Sequence, residues 1–221
     1  LCDGAASGAI AEVVINDEIE VATIGGGPPT GICGSGLIDA VAELLRVGII
    51  HETGRILGPD EAPRDLAEPL LNALTTFDGQ PAVVLAAAHR SKTEQPILLT
   101  QRDIREVQLA KAAIQGGIGV LLDEFGIAPD GLTQVLLAGG FGNFIHRSRA
   151  KRIGLLPPIS NDRIEFIGNA ACAGAKIALA SRSSRQEAER LSRVTEYVEL
   201  AGRPDFQERY TEALLFTNAE G

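Results

Sequence analysis

The run Val135-Leu136-Leu137-Ala138-Gly139-Gly140-Phe141-Gly142-Asn143 joins an apolar, strand-like segment to near-consecutive glycines. Glycine reaches positive φ and carries no Cβ, so such a turn lets main chain come against a bulky planar or anionic ligand. The chemistry on offer is nucleotide binding by bare backbone, with Gly139, Gly140, Phe141, Gly142 and Asn143 as the contact residues. The same pattern also serves as plain connection between a strand and a helix. A second glycine-led element follows in Ile167-Gly168-Asn169-Ala170-Ala171-Cys172-Ala173-Gly174-Ala175, and an earlier one stands at Gly31-Ile32-Cys33-Gly34-Ser35-Gly36. The earlier loop opens a helix, so the N–H groups of Gly34, Ser35 and Gly36 are placed for an anion. A tight start to a packed helix accounts for the same residues.

Several other chemistries are excluded by spacing. The nearest approach to a Walker phosphate loop, Gly174-Ala175-Lys176-Ile177, lacks both the required interval and the hydroxyl. Gly140-Phe141-Gly142-Asn143-Phe144-Ile145 puts Ile where a dinucleotide fingerprint needs its third small residue. Ser35 has no partner His and acid of a nucleophile elbow and reads as a helix N-cap. Cys2, Cys33 and Cys172 form neither a disulfide framework nor a Cys-x-x-Cys pair, and are read as structural thiols. His51, His89 and His146 are isolated and flanked by ordinary surface residues, so no metal set is expected from them. Asp3, Asp39 and Asp123 are nominal bases, but first-turn or surface roles suit them better.

Composition narrows the class. A net charge of -9 over 221 residues argues against nucleic acid and against an anionic membrane surface. The apolar runs are too short to span a membrane, and no secretory signal precedes Leu1. Three scattered cysteines fit a reducing, cytoplasmic home. The absence of Met reads as the mark of a piece of a longer chain, with Leu1 an internal position.

The elements that must position these glycines follow from periodicity. Alternation at Val13, Ile15, Ile19, Val21 and Ile24 around Asn16-Asp17 predicts a hairpin. Leu37, Ile38, Val41, Leu44, Leu45 and Val47 predict an apolar stripe on the helix that follows. Residues 50–80, with Pro59, Pro63 and Pro69, are expected to be an irregular excursion of loops and short helices. Strands are expected at 81–88, 96–99, 135–138 and 164–167. Thr100 and Asp103 have capping-box form and open a long helix ending at Gly126. Gly116, Gly117 and Gly119 inside that helix each cost roughly 1 kcal/mol relative to Ala, which close helix-to-helix approach or a ligand surface would offset. A short helix is expected at 144–149 and an Ala-rich one at 169–180. Residues 183–221 form a C-terminal helical extension, in which Phe206, Tyr210 and Leu214 mark a packed amphipathic helix. Alternating strands and helices make the chain α/β.

Six segments, taken in order, resemble one family. They are Gly31-Ile32-Cys33-Gly34-Ser35-Gly36-Leu37-Ile38-Asp39-Ala40, Leu99-Thr100-Gln101-Arg102-Asp103-Ile104, Ala138-Gly139-Gly140-Phe141-Gly142-Asn143, Arg152-Ile153-Gly154-Leu155-Leu156-Pro157, Gly168-Asn169-Ala170-Ala171 and Glu196-Tyr197-Val198-Glu199-Leu200. Together they are similar to the C-terminal domain of the reductive activators of corrinoid-dependent enzymes. The resemblance implies an α/β fold: a ribonuclease-H-like half of an actin/sugar-kinase-type ATPase, with inserted loops and helices. Residues 1–221 would then be a C-terminal nucleotide-binding domain. Gly139, Gly140, Phe141, Gly142 and Asn143 resemble the adenosine motif, and Gly168, Asn169 and Ala170 the second connecting motif at the hinge between halves.

The implied cofactors are ATP with Mg2+ and, in a ferredoxin domain absent from this chain, a [2Fe-2S] cluster. The implied activity is ATP-driven reduction of Co(II) corrinoid to Co(I), with a corrinoid protein or corrinoid methyltransferase as partner and a homodimer left open. No Asp-x-Gly-Thr pattern occurs. Both phosphate loops, the magnesium-orienting acid and the cluster cysteines of the family are therefore expected upstream of Leu1, and ATP hydrolysis only in the full-length protein. Alternatives are a small-molecule kinase, a dehydratase activator of the same superfamily, or a non-catalytic docking module.

Overall fold

The computed structural model describes residues 7–139 and 144–216. It is a mixed α/β arrangement of three small sheets and seven helices among the described residues. The first sheet has the order β2-β1-β3, from Ile19–Thr23, Ala9–Ile15 and Gly31–Ile32. β1 and β2 are the expected antiparallel hairpin, with Ile15 opposite Ile19 and a register irregularity between Ile10 and Glu12. Ala9, Ile10, Val13 and Ile15 face the core with almost no exposure.

Helix α1, Gly34–Arg46, lies on this sheet and is the most buried helix described. Its N-cap is Cys33, with no side-chain cap, whereas Ser35 was the residue expected there. The shift has a packing cause. Cys33 N–H donates to Ile10 O and Ser35 Oγ to Ala11 O, so β1 takes the groups that a free helix end would cap itself with. A Cβ on Gly36 would stand 2.2 Å from Ile10 O, so only glycine lets the helix sit this close.

The second sheet, β4-β5-β6, uses Leu74–Phe77, Gln80–Ala86 and Ile97–Thr100 in antiparallel order. β4 is a departure from the expected excursion over 50–80. Asp78 and Gly79 both take positive φ, 49° and 71°, which is the conformation of a tight hairpin turn, and they fold β4 back on β5. A short helix α2, Glu68–Asn72, precedes it.

The long helix α3, Gln101–Phe125, carries the full capping box at Thr100 and Asp103, and ends at Gly126 in the left-handed region. Its glycines are explained by the C-terminal helix α7, Pro204–Glu212, and by Leu200 just before it. A Cβ on Gly116 would meet Phe206 and the Tyr210 backbone at 3.3 Å, one on Gly117 would meet Leu200 at 3.3 Å, and one on Gly119 would reach Arg209 at 2.9 Å. Beyond α7 the chain is held by α3 as well. Gln108 Nε2 donates to Leu214 O at 2.7 Å and to Thr53 O at 3.1 Å, Lys111 donates to Leu215 O, and Phe216 N–H donates to Glu52 O.

The third sheet is the parallel pair β7, Val135–Ala138, and β8, Ile164–Gly168, joined through the short helix α4, Arg147–Arg152. Two cores result. The larger runs from β1 and α1 to β5, β6 and α3, and is closed by Ile153 and Phe216; the smaller holds Ala150, Leu156, Ile159 and Ile164. Ile145 and Leu155 pack against both. The Ala-rich α5, Ala170–Ala180, and the charged α6, Arg182–Val194, contain no buried residue and pack on one another.

Candidate nucleotide site

β7 and β8 run in the same direction, so their C-terminal ends lie side by side, the edge at which open α/β sheets hold ligands. Each strand ends on a left-handed glycine. Gly139 has φ 107° and Gly168 φ 64°, and a Cβ added at either would find no atom of the described residues within 4 Å. These two glycines are required by the turn. Gly139 N–H donates to Gly168 O at 2.7 Å, locking one turn to the other. Asn169 then caps α5, its Oδ1 accepting from Cys172 N–H at 3.0 Å, and Ala170 is the first helical residue.

The structure thus brings Gly139, Gly168, Asn169 and Ala170 together. Gly140, Phe141, Gly142 and Asn143 lie outside the described residues, as do Asp3 and Cys2. Gly34, Ser35 and Gly36 are accounted for by packing on β1, the Ser35 hydroxyl lying 3.3 Å from Cys33 Sγ besides its bond to Ala11 O.

One expectation is corrected. Asp39 is neither a first-turn nor a surface residue; it is fully buried on α1, and burial raises its carboxyl above the ordinary carboxylate range while Arg149 and His146 pull it down. His146 is exposed, and its Nδ1 lies 3.0 Å from Asp39 Oδ2, to which Arg149 also donates. Glu43, one turn along α1, accepts from Arg46, Arg152 and Ile15 N–H. Burial pushes the Glu43 carboxyl up most, but Arg46, the Ile15 N–H and Arg149 together hold it below its ordinary value. Sequence offered a weak sign of this cluster. Asp39 sits among Ile38, Ala40 and Val41, all buried, but nothing pointed to its partners more than a hundred residues away.

Glu12, Asp39 and His146 bring ligand atoms within 4.8 Å of one another, as a metal site would. The Arg149 guanidinium, bonded to Asp39 and 2.9 Å from His146 Nδ1, already fills the cation's place. Of the described cysteines, Cys33 is buried and Cys172 exposed. They belong to the starts of different helices, so the described cysteines do not form one ligand set. Among the described residues, no helix is long and apolar enough to cross a membrane.

The mixed α/β arrangement is consistent with an ASKHA-type domain. The family model described as the C-terminal domain of RACo, the ASKHA domain, matches residues 3–221, and the chain belongs to that family. A curated relative, the corrinoid activation enzyme RamQ of Eubacterium limosum, is 36% identical over 202 residues, covering 91% of this chain and 34% of its own. A solved structure, a reductive activator for corrinoid, iron-sulfur protein, superposes with a TM-score of 0.84 at 34% identity, over 96% of this chain and 33% of that one. The chain therefore spans about a third of the length of the relatives it matches.

Proposed function

We propose that this chain is the nucleotide-holding C-terminal domain of an ATP-dependent activator that returns Co(II) corrinoid to Co(I). One observation carries it: two parallel strands end on left-handed glycines that no other described residue crowds, Gly139 bonded to Gly168. Such a seat fits an adenine nucleotide, since bare main chain can approach the adenine and ribose where any Cβ would stand off. Gly139, Gly168, Asn169 and Ala170 would hold it, together with Gly140, Phe141, Gly142 and Asn143. Bound ATP with Mg2+ supplies the free energy that lifts an electron to the low potential of Co(I).

The electron source is a [2Fe-2S] domain elsewhere in the full-length protein. The partner is a corrinoid protein or a corrinoid methyltransferase; the names of both relatives support a corrinoid-bearing partner. A homodimer and a cytoplasmic setting complete the reading. The chain's own part is to bind and orient the nucleotide.

Calorimetry of ADP and ATP on a form of the protein as long as its relatives tests this. Gly139→Val and Gly168→Val strain a left-handed backbone and crowd the seat; both are expected to abolish measurable binding while the fold persists by circular dichroism. Full affinity in both variants, or no binding by the parent protein, would sink the assignment.

A further inference from the structure

β7 and β8 form a parallel pair, and among the described residues neither pairs with a third strand. Parallel sheets are ordinarily covered on both faces, and their strands are correspondingly apolar throughout. Val135-Leu136-Leu137-Ala138 has that composition, yet Leu136 and Ala138 are exposed. Beyond the outer edge of β7 lies an apolar trough of about 410 Å³, walled on its far side by Ile114, Leu121 and Phe125 of α3, all three exposed. Every side chain that lines it is apolar, so a charged small molecule or a metal ion has no partner there. The polar groups that β7 adds are main-chain N–H and C=O, repeating with the spacing of a strand. An edge and a trough of this kind are satisfied together by one thing, an added strand, whose backbone extends the ladder while alternate side chains fill the groove.

We infer that β7 is an inner strand of the longer protein: a segment of the same polypeptide, outside residues 1–221, lies along its outer edge and packs its side chains into the trough against α3. Length and connection favour this source. The chain spans about a third of the length of the relatives it matches, so the greater part of such a protein lies outside it. A tethered segment acts at an effective concentration that reaches the order of mM, well above that of a free partner. A second copy meeting edge to edge brings the same trough again, and two hollows then face each other with nothing to fill them.

The trough constrains the segment that fills it. It is extended over at least the four residues of β7, carries uncharged apolar side chains at alternate positions, and has no proline in the paired stretch. The inference stands apart from the nucleotide reading, because it concerns the side of β7 and not the turn beyond it.

The test uses the protein at the length of its relatives. Successive N–H groups of a strand point to opposite edges, so amide exchange read residue by residue over 135–138 reports on both. Exchange is expected to be slowed at all four positions, by about a hundredfold or more relative to an open edge. Fast exchange at alternate positions would show the outer edge unpaired and overturn the inference. The occupant is identified by placing a photoreactive benzophenone residue at Leu136. The cross-link is expected within one polypeptide, to a residue outside 1–221. A cross-linked dimer would give the edge to a second copy, and attachment only within 1–221 would leave it free; either result sinks the inference. Should benzophenone at Leu136 disturb folding, exchange of the unmodified protein still decides, since slow exchange over 135–138 survives dilution for a tethered segment and quickens for a second copy.

Discussion

Lys111 is 1% exposed on α3, with its ammonium donating to Leu215 O and lying 4.9 Å from the centre of the Phe216 ring. Burial lowers its pKa from 10.5 to about 8. Below about pH 8 the proton is held in both folded and unfolded chains, and the folded state bears the cost of a buried charge. Between about 8 and 10.5 the unfolded chain still holds a proton that the folded one has released, so stability rises with pH through that window. Lys111→Met has no proton to release. Urea denaturation across pH 7–10.5 is expected to show the parent gaining on the variant as pH rises; parallel curves would refute it. A second residue-scale prediction concerns Gly36, where Ala would put Cβ 2.2 Å from Ile10 O. Gly36→Ala should lose ~1–3 kcal/mol in the same assay, the usual cost of overpacking. Residues are where sequence told least. Gly139 and Gly168 were legible because left-handed turns favour glycine, whereas Asp39 was hidden because its partners lie far along the chain.

Elements were read more fully, because their signals are local. The Thr100 capping box, the Gly126 stop and the hairpin at Asn16-Asp17 each rest on neighbours in sequence. β4 was missed although Asp78-Gly79 is a hairpin dipeptide, since the prolines upstream drew the whole segment into one irregular stretch. The α3 glycines were explicable only in part, as sequence gave closeness but not the partner. That partner is α7, and the contact is tight enough to test. Gly116→Ala gains helix propensity of roughly 1 kcal/mol while pressing on Phe206 at 3.3 Å, and is expected to be near neutral. Gly116→Val has no such margin; it should dislodge α7 and speed proteolysis in the 195–203 connection. Equal cleavage of variant and parent would exclude this packing as the reason for glycine.

At the scale of the molecule the second half is less enclosed than the first. Among the described residues β7 pairs only with β8, so its other edge is unpaired. An apolar trough of about 410 Å³ runs between that edge and α3, lined by Ile114, Ile118, Leu121, Val135, Leu136 and Leu137. Leu136 is 51% exposed there. An open strand edge beside apolar surface invites association, and a charge on the edge opposes it. Residues 1–221 expressed alone are expected to associate as concentration rises, and Leu136→Lys to reduce this, as followed by sedimentation velocity. A parent that stays monomeric at high concentration would show the trough to be harmless.

The bond from Phe216 to Glu52 has a consequence for how the molecule is made. Phe216 seals a hydrophobic core whose other walls run from β1 and α1 to β5, β6 and α3. Joining such distant positions carries a modest thermodynamic penalty, since doubling a loop adds only about 0.6 kcal/mol. Timing is another matter. A ribosome delivers β1, β2 and α1 first, and that half must wait, with one wall missing, until Phe216 has cleared the exit tunnel.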